Sequence, residues 1–230
     1  MVKRRSISKA AKRFWSAEAG LSMVEGVIVL PLVLLVFAVL VEFGFAVFQW
    51  NQTVKAMQLG ARMAAVSEPV ADDLSFLTDD YPVVEGGPTP SPTASPKAIQ
   101  CTAGNCALLG TGADGGTAPN LNADAMAWLI EGSDWGQANS CNPSSDPRPG
   151  MCDFNAQINE DNVVITYHRS GLGYVGRPDG PVMTVTVGIS GLTFNLPLVG
   201  ALIGVNEIEI PANPVTVTSE DMCTKRPSLC

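Results

Sequence analysis

The sequence predicts an α+β protein in which one long N-terminal helix precedes a disulfide-containing head with a small antiparallel sheet. Three observations support this fold class. An uncharged apolar run begins at Gly26, all six cysteines follow that run, and alternating apolar and polar residues appear after Asn162. These features divide the chain into a helical N-terminal part and a strand-containing C-terminal part.

The predicted helix starts with an apolar run at residues 26–41, which contains Pro31 but no charged side chain. Extended through residue 48, the run reaches about the 20 residues that a helix needs to cross a bilayer. Apolar residues then recur at spacings of three and four with polar residues between them, which is the helical pattern. We therefore predict one transmembrane and assembly helix over residues 21–66, kinked at Pro31 and ended before Pro69.

Residues 1–20 form a basic leader in front of this helix. They carry six basic side chains against Glu18, a net charge of +5, and because the whole chain carries −8, the other 210 residues carry −13. A basic leader before an apolar span indicates that the leader is cytoplasmic and that the rest of the chain is exported. A secretory signal peptide is disfavoured, because no A-x-A-like site follows before Gln49. The acidic remainder would repel phosphate backbones, which argues against nucleic-acid binding.

After the helix, the chain is predicted to form a loop and linker region over residues 67–119 and an α+β head over residues 120–230. The linker prediction rests on a high content of Asp, Pro, Gly and Ser, including the stretch PTPSPTASP at residues 88–96. Such low-complexity stretches are typical of extended connections between folded parts. We therefore expect the regular structure of the head to begin near residue 120.

The head contains one helical pattern and three strand patterns. Asn120 and Asn122 are candidate N-caps for a short helix that Gly132 would end. The helix is predicted at residues 123–131 and the strands at residues 163–168, 182–189 and 214–219. The apolar segment at residues 192–204 is too short to span a membrane and is interrupted by Pro197. We expect this segment to pack on the sheet.

All six cysteines lie in the part predicted to be exported, which favours disulfides in an oxidising compartment. Several pairings are possible, and the sequence-local one joins Cys101 to Cys106, Cys141 to Cys152 and Cys223 to Cys230. A thiolate metal site is disfavoured because the sequence contains no C-x-x-C pair. We therefore expect three short disulfide loops and no metal.

Signals for an enzyme are poor. GLGYVG at residues 171–176 has the G-x-G-x-x-G spacing of a dinucleotide-binding turn, but RPDGP follows where the helix of such a site should begin. His168 is the only histidine, and no G-x-S-x-G accompanies it. We predict neither catalytic residues nor a cofactor, and we interpret His168 as a surface or packed side chain.

The most informative motif is GLSMVE at residues 20–25, between the basic leader and the apolar run. An unpaired carboxylate inside an apolar helix costs several kcal/mol, so Glu25 needs a partner. Cleavage after Gly20 would create an α-amino group on Leu21, and Glu25 of one subunit could pair with that amine on its neighbour. The alternative is a glutamate that reaches the headgroups from the membrane edge. For Glu42, near the far end of the span, this second interpretation is the favoured one.

This motif resembles that of the type IV prepilins, and residues 20–65 more closely resemble the TadE-like family of tight-adherence pilus assembly proteins. The shared features are VE at residues 24–25, Pro31, Glu42 followed by Gly44, and GAR at residues 60–62. The resemblance implies cleavage by a prepilin peptidase and assembly as a minor pseudopilin in the bacterial inner membrane with a periplasmic head. Its implied partners are other pilin and pseudopilin subunits, the inner-membrane assembly platform and membrane lipid.

Two alternatives stay open at the level of sequence. LSMVE at residues 21–25 is close to the general prepilin motif, which allows a major pilin or a type II secretion pseudopilin. The other alternative is an uncleaved single-span protein whose periplasmic domain binds a ligand. Cleavage of the leader separates both pilin-like interpretations from this last one.

Overall fold

The computed structural model describes residues 19–78, 96–132, 141, 148–172, 182–204 and 207–219. The chain forms two compact units. The N-terminal unit comprises residues 1–47 and 195–207, and the head unit comprises residues 48–194 and 208–230. The described elements are the helices α1 (Ala19–Val66), α2 (Ser75–Thr78), α3 (Ala123–Glu131) and α4 (Pro197–Ile203), and the strands β1 (Lys97–Thr102), β2 (Asn105–Gly110), β3 (Val163–Leu172), β4 (Val182–Ile189), β5 (Thr193–Asn195), β6 (Glu207–Glu209) and β7 (Val215–Thr218).

Helix α1 confirms the helix predicted over residues 21–66. It has 48 residues and continues through Pro31, although proline supplies no backbone N–H for the helical hydrogen bonds. Residues 26–48 are apolar apart from Glu42, whereas polar side chains become frequent from Gln49 onward. The kink predicted at Pro31 stays a prediction, since continuity of the helix does not define a bend.

The head unit contains an antiparallel sheet with the described strand order β2-β1-β3-β4-β7. The central strand β3 pairs with β4 from Val163 opposite Ile189 to Leu172 opposite Val182. Alternate residues of β4 are buried, as the period-two pattern of its sequence predicts. The three predicted strands are therefore confirmed as β3, β4 and β7, and the α+β fold class is correct.

The prediction that residues 67–119 form only loop and linker is wrong over β1 and β2. These strands form a hairpin, and β1 also pairs with β3 from Ala98 opposite His168 to Cys101 opposite Ile165. The sequence of β1, KAIQCT, has only two adjacent aliphatic residues and no clear alternation. Its strand conformation comes from pairing with a segment more than 60 residues later in the chain, which local propensity does not reveal.

Two of the three predicted disulfides are present. Cys101 and Cys106 face each other across the β1–β2 hairpin, and Cys141 is joined to Cys152. In the chain-entropy model, loops of 5 and 11 residues stabilise the folded state by about 2 to 3 kcal/mol each. The third predicted pair, Cys223 with Cys230, lies outside the described residues.

Helix α3 confirms the predicted helix and shows which asparagine caps it. The side chain of Asn122 accepts a hydrogen bond from the N–H of Ala125 at 3.2 Å. At the other end Gly132 has a φ of 76°, and its N–H donates to the carbonyl of Trp128. A left-handed conformation at this position favours glycine, so both ends of the helix are set by the local sequence.

The core of the head unit is formed by one face of the sheet together with α3 and the C-terminal part of α1. The sheet contributes the fully buried side chains Ile99, Ile165, Tyr167, Val185 and Val187. From α1, the buried side chains are Ala56, Met57, Ala61, Ala64 and Ala65, and from α3 they are Met126, Leu129 and Ile130. The small residues of α1 recur at spacings of three and four, which places them on one helical face.

The buried hydroxyl of Tyr167 satisfies a backbone group from the segment that follows α1. It accepts a hydrogen bond from the N–H of Val70 at 2.9 Å, and both residues are fully buried. Tyr167→Phe should lower the free energy of unfolding by about 1 to 3 kcal/mol, because the Val70 N–H would stay buried without an acceptor. Urea unfolding of the full chain in detergent measures the difference. An unchanged midpoint would show that this hydrogen bond contributes nothing to the net stability.

Burial raises the pKa of the Tyr167 hydroxyl, and the hydrogen bond from Val70 opposes that shift only in part. The folded pKa is therefore above the unfolded value of about 10. The corresponding stability is complete below that value and is lost as the pH rises through the folded pKa. The phenylalanine variant should lack this alkaline loss of stability.

Candidate membrane and assembly surface

The first part of α1 exposes an apolar surface on all its sides. From residue 27 to residue 37, all the large side chains are at least 42% exposed, and they span several complete helical turns. An 18-residue window of this helix has a mean hydropathy of 2.9, and none of it is buried. Soluble monomers rarely expose contiguous apolar surface of this extent. The helix is therefore suited to contact lipid or other apolar helices.

The length of this surface matches a membrane crossing. From Met23 to Val41 the helix rises about 27 Å, close to the roughly 30 Å hydrocarbon core of a bilayer. Within residues 26–54 the only charged side chain is that of Glu42. Within the part of the chain that the structure describes, this is the one helix long and apolar enough to cross a membrane, which suggests a single-pass membrane protein.

Gly20 and Leu21 lie in the first turns of α1, and Glu25 follows one turn after Leu21. The side chain of Glu25 is exposed. Among the residues that the structure describes, none donates a hydrogen bond to this carboxylate. An exposed carboxylate at this end of an apolar helix leaves pairing with a second molecule sterically open. The role of Glu25 in assembly and the cleavage after Gly20 both stay predictions.

Glu42 has a different environment, and the expectation that it reaches out to the headgroups is wrong. Only 9% of its surface is exposed. Its two carboxylate oxygens accept hydrogen bonds from the N–H groups of Leu198, at 3.0 Å, and Val199, at 2.8 Å. Helix α4 begins at Pro197, which has no N–H, and Leu196 gives it no side-chain cap. Glu42 therefore supplies the acceptors that the first turn of α4 lacks.

Residues 195–204 also correct the prediction that the segment over 192–204 packs on the sheet. They belong to the same compact unit as the first part of α1, and α4 is attached there through Glu42. Sequence reasoning missed this pair because Glu42 and Leu198 are 156 residues apart. One sequence feature could have indicated that α4 needs acceptors from elsewhere in the chain. The helix starts with Leu-Pro and has no Ser, Thr, Asp or Asn at its N-cap.

A family model for TadE-like proteins matches residues 20–62. This segment is similar to TadE-like proteins. The match begins at Gly20, where the basic leader meets the apolar helix, and it covers both Glu25 and Glu42. It confirms the resemblance to the TadE-like family and supports an association with a tight-adherence pilus. Comparisons with curated proteins and with solved structures find no match.

The C-terminal part of the segment that matches the TadE-like model serves the fold of the head unit. The Thr53 hydroxyl accepts a hydrogen bond from the Asn155 amide at 2.9 Å and donates to the carbonyl of Gln49, also at 2.9 Å. Gly60, the first residue of the GAR motif, permits close packing of Met151, because a Cβ atom there would lie 2.5 Å from the Met151 sulfur. This part of the matched segment thus has a packing role, whereas the part before residue 47 presents an exposed apolar surface.

The described residues provide no candidate metal centre, since they contain no group of three or more His, Cys, Asp or Glu side chains suited to a metal ion. His168 lies on β3, half-buried, opposite Ala98 and Thr184. In the GLGYVG stretch, Gly171 and Leu172 end β3, while residues 173–176 lie outside the described residues. The expectation that the protein is not an enzyme stays a prediction.

Proposed function

We propose that this protein is a minor pseudopilin of a tight-adherence pilus, inserted in the bacterial inner membrane through α1 and cleaved after Gly20 by a prepilin peptidase. The observation that carries the proposal is the coincidence of three boundaries. The family match begins at Gly20, the predicted basic leader ends at the same residue, and the uncharged apolar run begins at Gly26. A processing site at that position would release a helix that is ready to contact lipid or other subunits.

In this proposal, α1 has two successive environments. In the membrane, its exposed apolar surface contacts lipid, and in an assembly the same surface packs against the helices of other pilins and pseudopilins. Pairing between Glu25 of one subunit and the Leu21 amine of its neighbour would set the axial position of the two helices. In an apolar environment, a charge that has lost its partner is strongly destabilised. A charge pair is therefore suited to specify one axial register of the two helices.

The head is expected to lie in the periplasm and to contact other pilus subunits and the assembly platform. Its two described disulfides fit an oxidising compartment. A mature chain of 210 residues is bulky for the repeating subunit of a thin pilus, which favours a minor component over a major pilin. A type II secretion pseudopilin would use the same helix in the same way and is the second candidate.

Gly20→Val tests the processing step. The variant should insert in the membrane normally, because the span is unchanged, while the branched side chain should block cleavage by crowding the peptidase site. The measurement is the mass of the membrane form in cells with and without a prepilin peptidase, with Gly26→Ala as the control. Gly26 is exposed on α1, and a Cβ atom there would meet nothing within 4 Å. Cleavage of Gly20→Val at the parental rate would place the processing site elsewhere.

A further inference from the structure

The segment over residues 195–204 is an apolar surface element attached to the far end of the membrane-spanning part of α1. It contains no charged residue. Its exposed side chains include Pro197, Leu198 and Ala201, and Leu198 is 53% exposed. Moving exposed apolar side chains from water into an apolar environment lowers the free energy. A short helix with this composition would therefore be more stable in an apolar environment than in water.

The two hydrogen bonds to Glu42 fix the position of α4 along α1. Glu42 directly follows the uncharged run of residues 26–41, so the first turn of α4 lies at the depth where that run ends. Next to this contact, an open apolar groove of about 590 Å³ is lined by α1 and α4. Its lining includes Phe37, Val41, Phe45, Pro197 and Leu198. The groove is thus continuous with the exposed surface of the span.

We propose that residues 195–204 form a second membrane contact, in which α4 lies at the interface of the head-side leaflet and acyl chains fill the groove. This inference rests on the membrane insertion in the proposed function. Lipid is the occupant favoured by the structure, because the groove continues the surface of the span and neither of its walls adds an exposed charge. Apolar segments that lie in the interface plane bind through buried apolar area in this manner.

Glu42 is the positioning residue of this contact. A carboxylate at membrane depth is tolerated where its charge is satisfied within the protein, and here both of its oxygens accept backbone hydrogen bonds. The same bonds satisfy the N–H groups of Leu198 and Val199, which have no other acceptor among the described residues and would be costly to place in hydrocarbon. Loss of the Glu42 side chain should therefore release α4 from the leaflet while leaving α1 in the membrane.

The test uses the full chain in vesicles of phosphatidylethanolamine and phosphatidylglycerol whose acyl chains carry a nitroxide quencher. A fluorescent non-natural amino acid is placed at Leu198, at Leu30 within the span, or at Leu109 on β2. Leu30 and Leu109 are 59% and 41% exposed, so both references tolerate a probe. We expect quenching at Leu198 to approach that at Leu30 and to exceed that at Leu109 severalfold. In Glu42→Ala, quenching at Leu198 should fall to the Leu109 level, with Leu30 unchanged.

Each other outcome overturns a defined part of the account. Quenching at Leu30 together with a Leu198 signal no stronger than that at Leu109 overturns the second membrane contact and leaves the proposed function intact. Persistent quenching at Leu198 in Glu42→Ala overturns the role of Glu42. Absence of quenching at Leu30 overturns both the contact and the membrane insertion on which it rests. Photocrosslinking from Leu198 to a second copy in place of lipid would assign the groove to a subunit contact and would likewise overturn the proposal.

Discussion

Glu25→Ala is expected to insert in the membrane and to be cleaved at parental levels, yet to fail to enter pilus assemblies. Insertion should be unchanged or slightly easier, because the substitution removes a polar group from an apolar helix. The head should fold normally, since Glu25 lies outside the head unit. What is lost is the pairing with the Leu21 amine of a neighbouring subunit. Removal of one member of a buried ion pair commonly costs about 3–5 kcal/mol, a weakening of roughly 10²- to 10⁴-fold.

The comparison measures membrane level, N-terminal cleavage and co-purification with assembled pili for the parent and for Glu25→Ala. Glu25→Gln should fail in the same way, because it keeps the size of the side chain but removes its charge. Glu160→Ala is the matched control, since it removes an exposed carboxylate from the head unit. If Glu25→Ala and Glu25→Gln both enter assemblies normally, Glu25 has no register role and reaches the headgroups instead.

The second large effect is expected for a substitution of Gly150, whose backbone lies close to the end of α3. A Cβ atom at Gly150 would lie 2.3 Å from the carbonyl oxygen of Ile130 and 2.5 Å from the amide nitrogen of Gly132. Both obstacles are backbone atoms, which cannot move aside as the end of a side chain can. The approach allows Met151 and Cys152 to donate hydrogen bonds to the carbonyls of Leu129 and Ile130. Gly150→Ala should therefore destabilise the head by about 3 kcal/mol or more.

Urea unfolding of the full chain in detergent measures this effect. Gly115→Ala is the control, because a Cβ atom at Gly115 would meet nothing within 4 Å and its backbone needs no left-handed conformation. We expect a much lower midpoint for Gly150→Ala and an almost unchanged one for Gly115→Ala. Equal midpoints for the two variants would show that the backbone at Gly150 lies farther from the end of α3 than in this structure.

The elements that could be predicted from the sequence are those with a local signal. Helix α1 has a long apolar run followed by helical spacing, and β4 alternates strictly enough to give its buried face. Helix α3 has an asparagine at its start and a glycine just past its end, which are the residue types that its capping requires. The strand β1 and the hairpin to β2 have no comparable signal, and their conformation depends on pairing with β3.

The candidate surface was predictable only in part, for the same physical reason. The motif at residues 20–25 and the exposed span follow from residues that are adjacent in the chain. The role of Glu42 does not, because its hydrogen-bond donors are more than 150 residues away in the sequence. A carboxylate near the end of an apolar span is stable in two environments, in contact with lipid headgroups or with hydrogen-bond donors of the protein. The sequence around Glu42 does not distinguish between them.

The most direct test of the proposed function is the N-terminal sequence of the mature protein isolated from the membranes of cells that contain a prepilin peptidase. The account predicts a mature chain that begins with Leu21, so that Glu25 becomes its fifth residue and the basic leader is absent. The same preparation from cells without the peptidase should keep the leader. A membrane form that begins at Met1 in both preparations would contradict the pseudopilin proposal and would favour an uncleaved single-span protein.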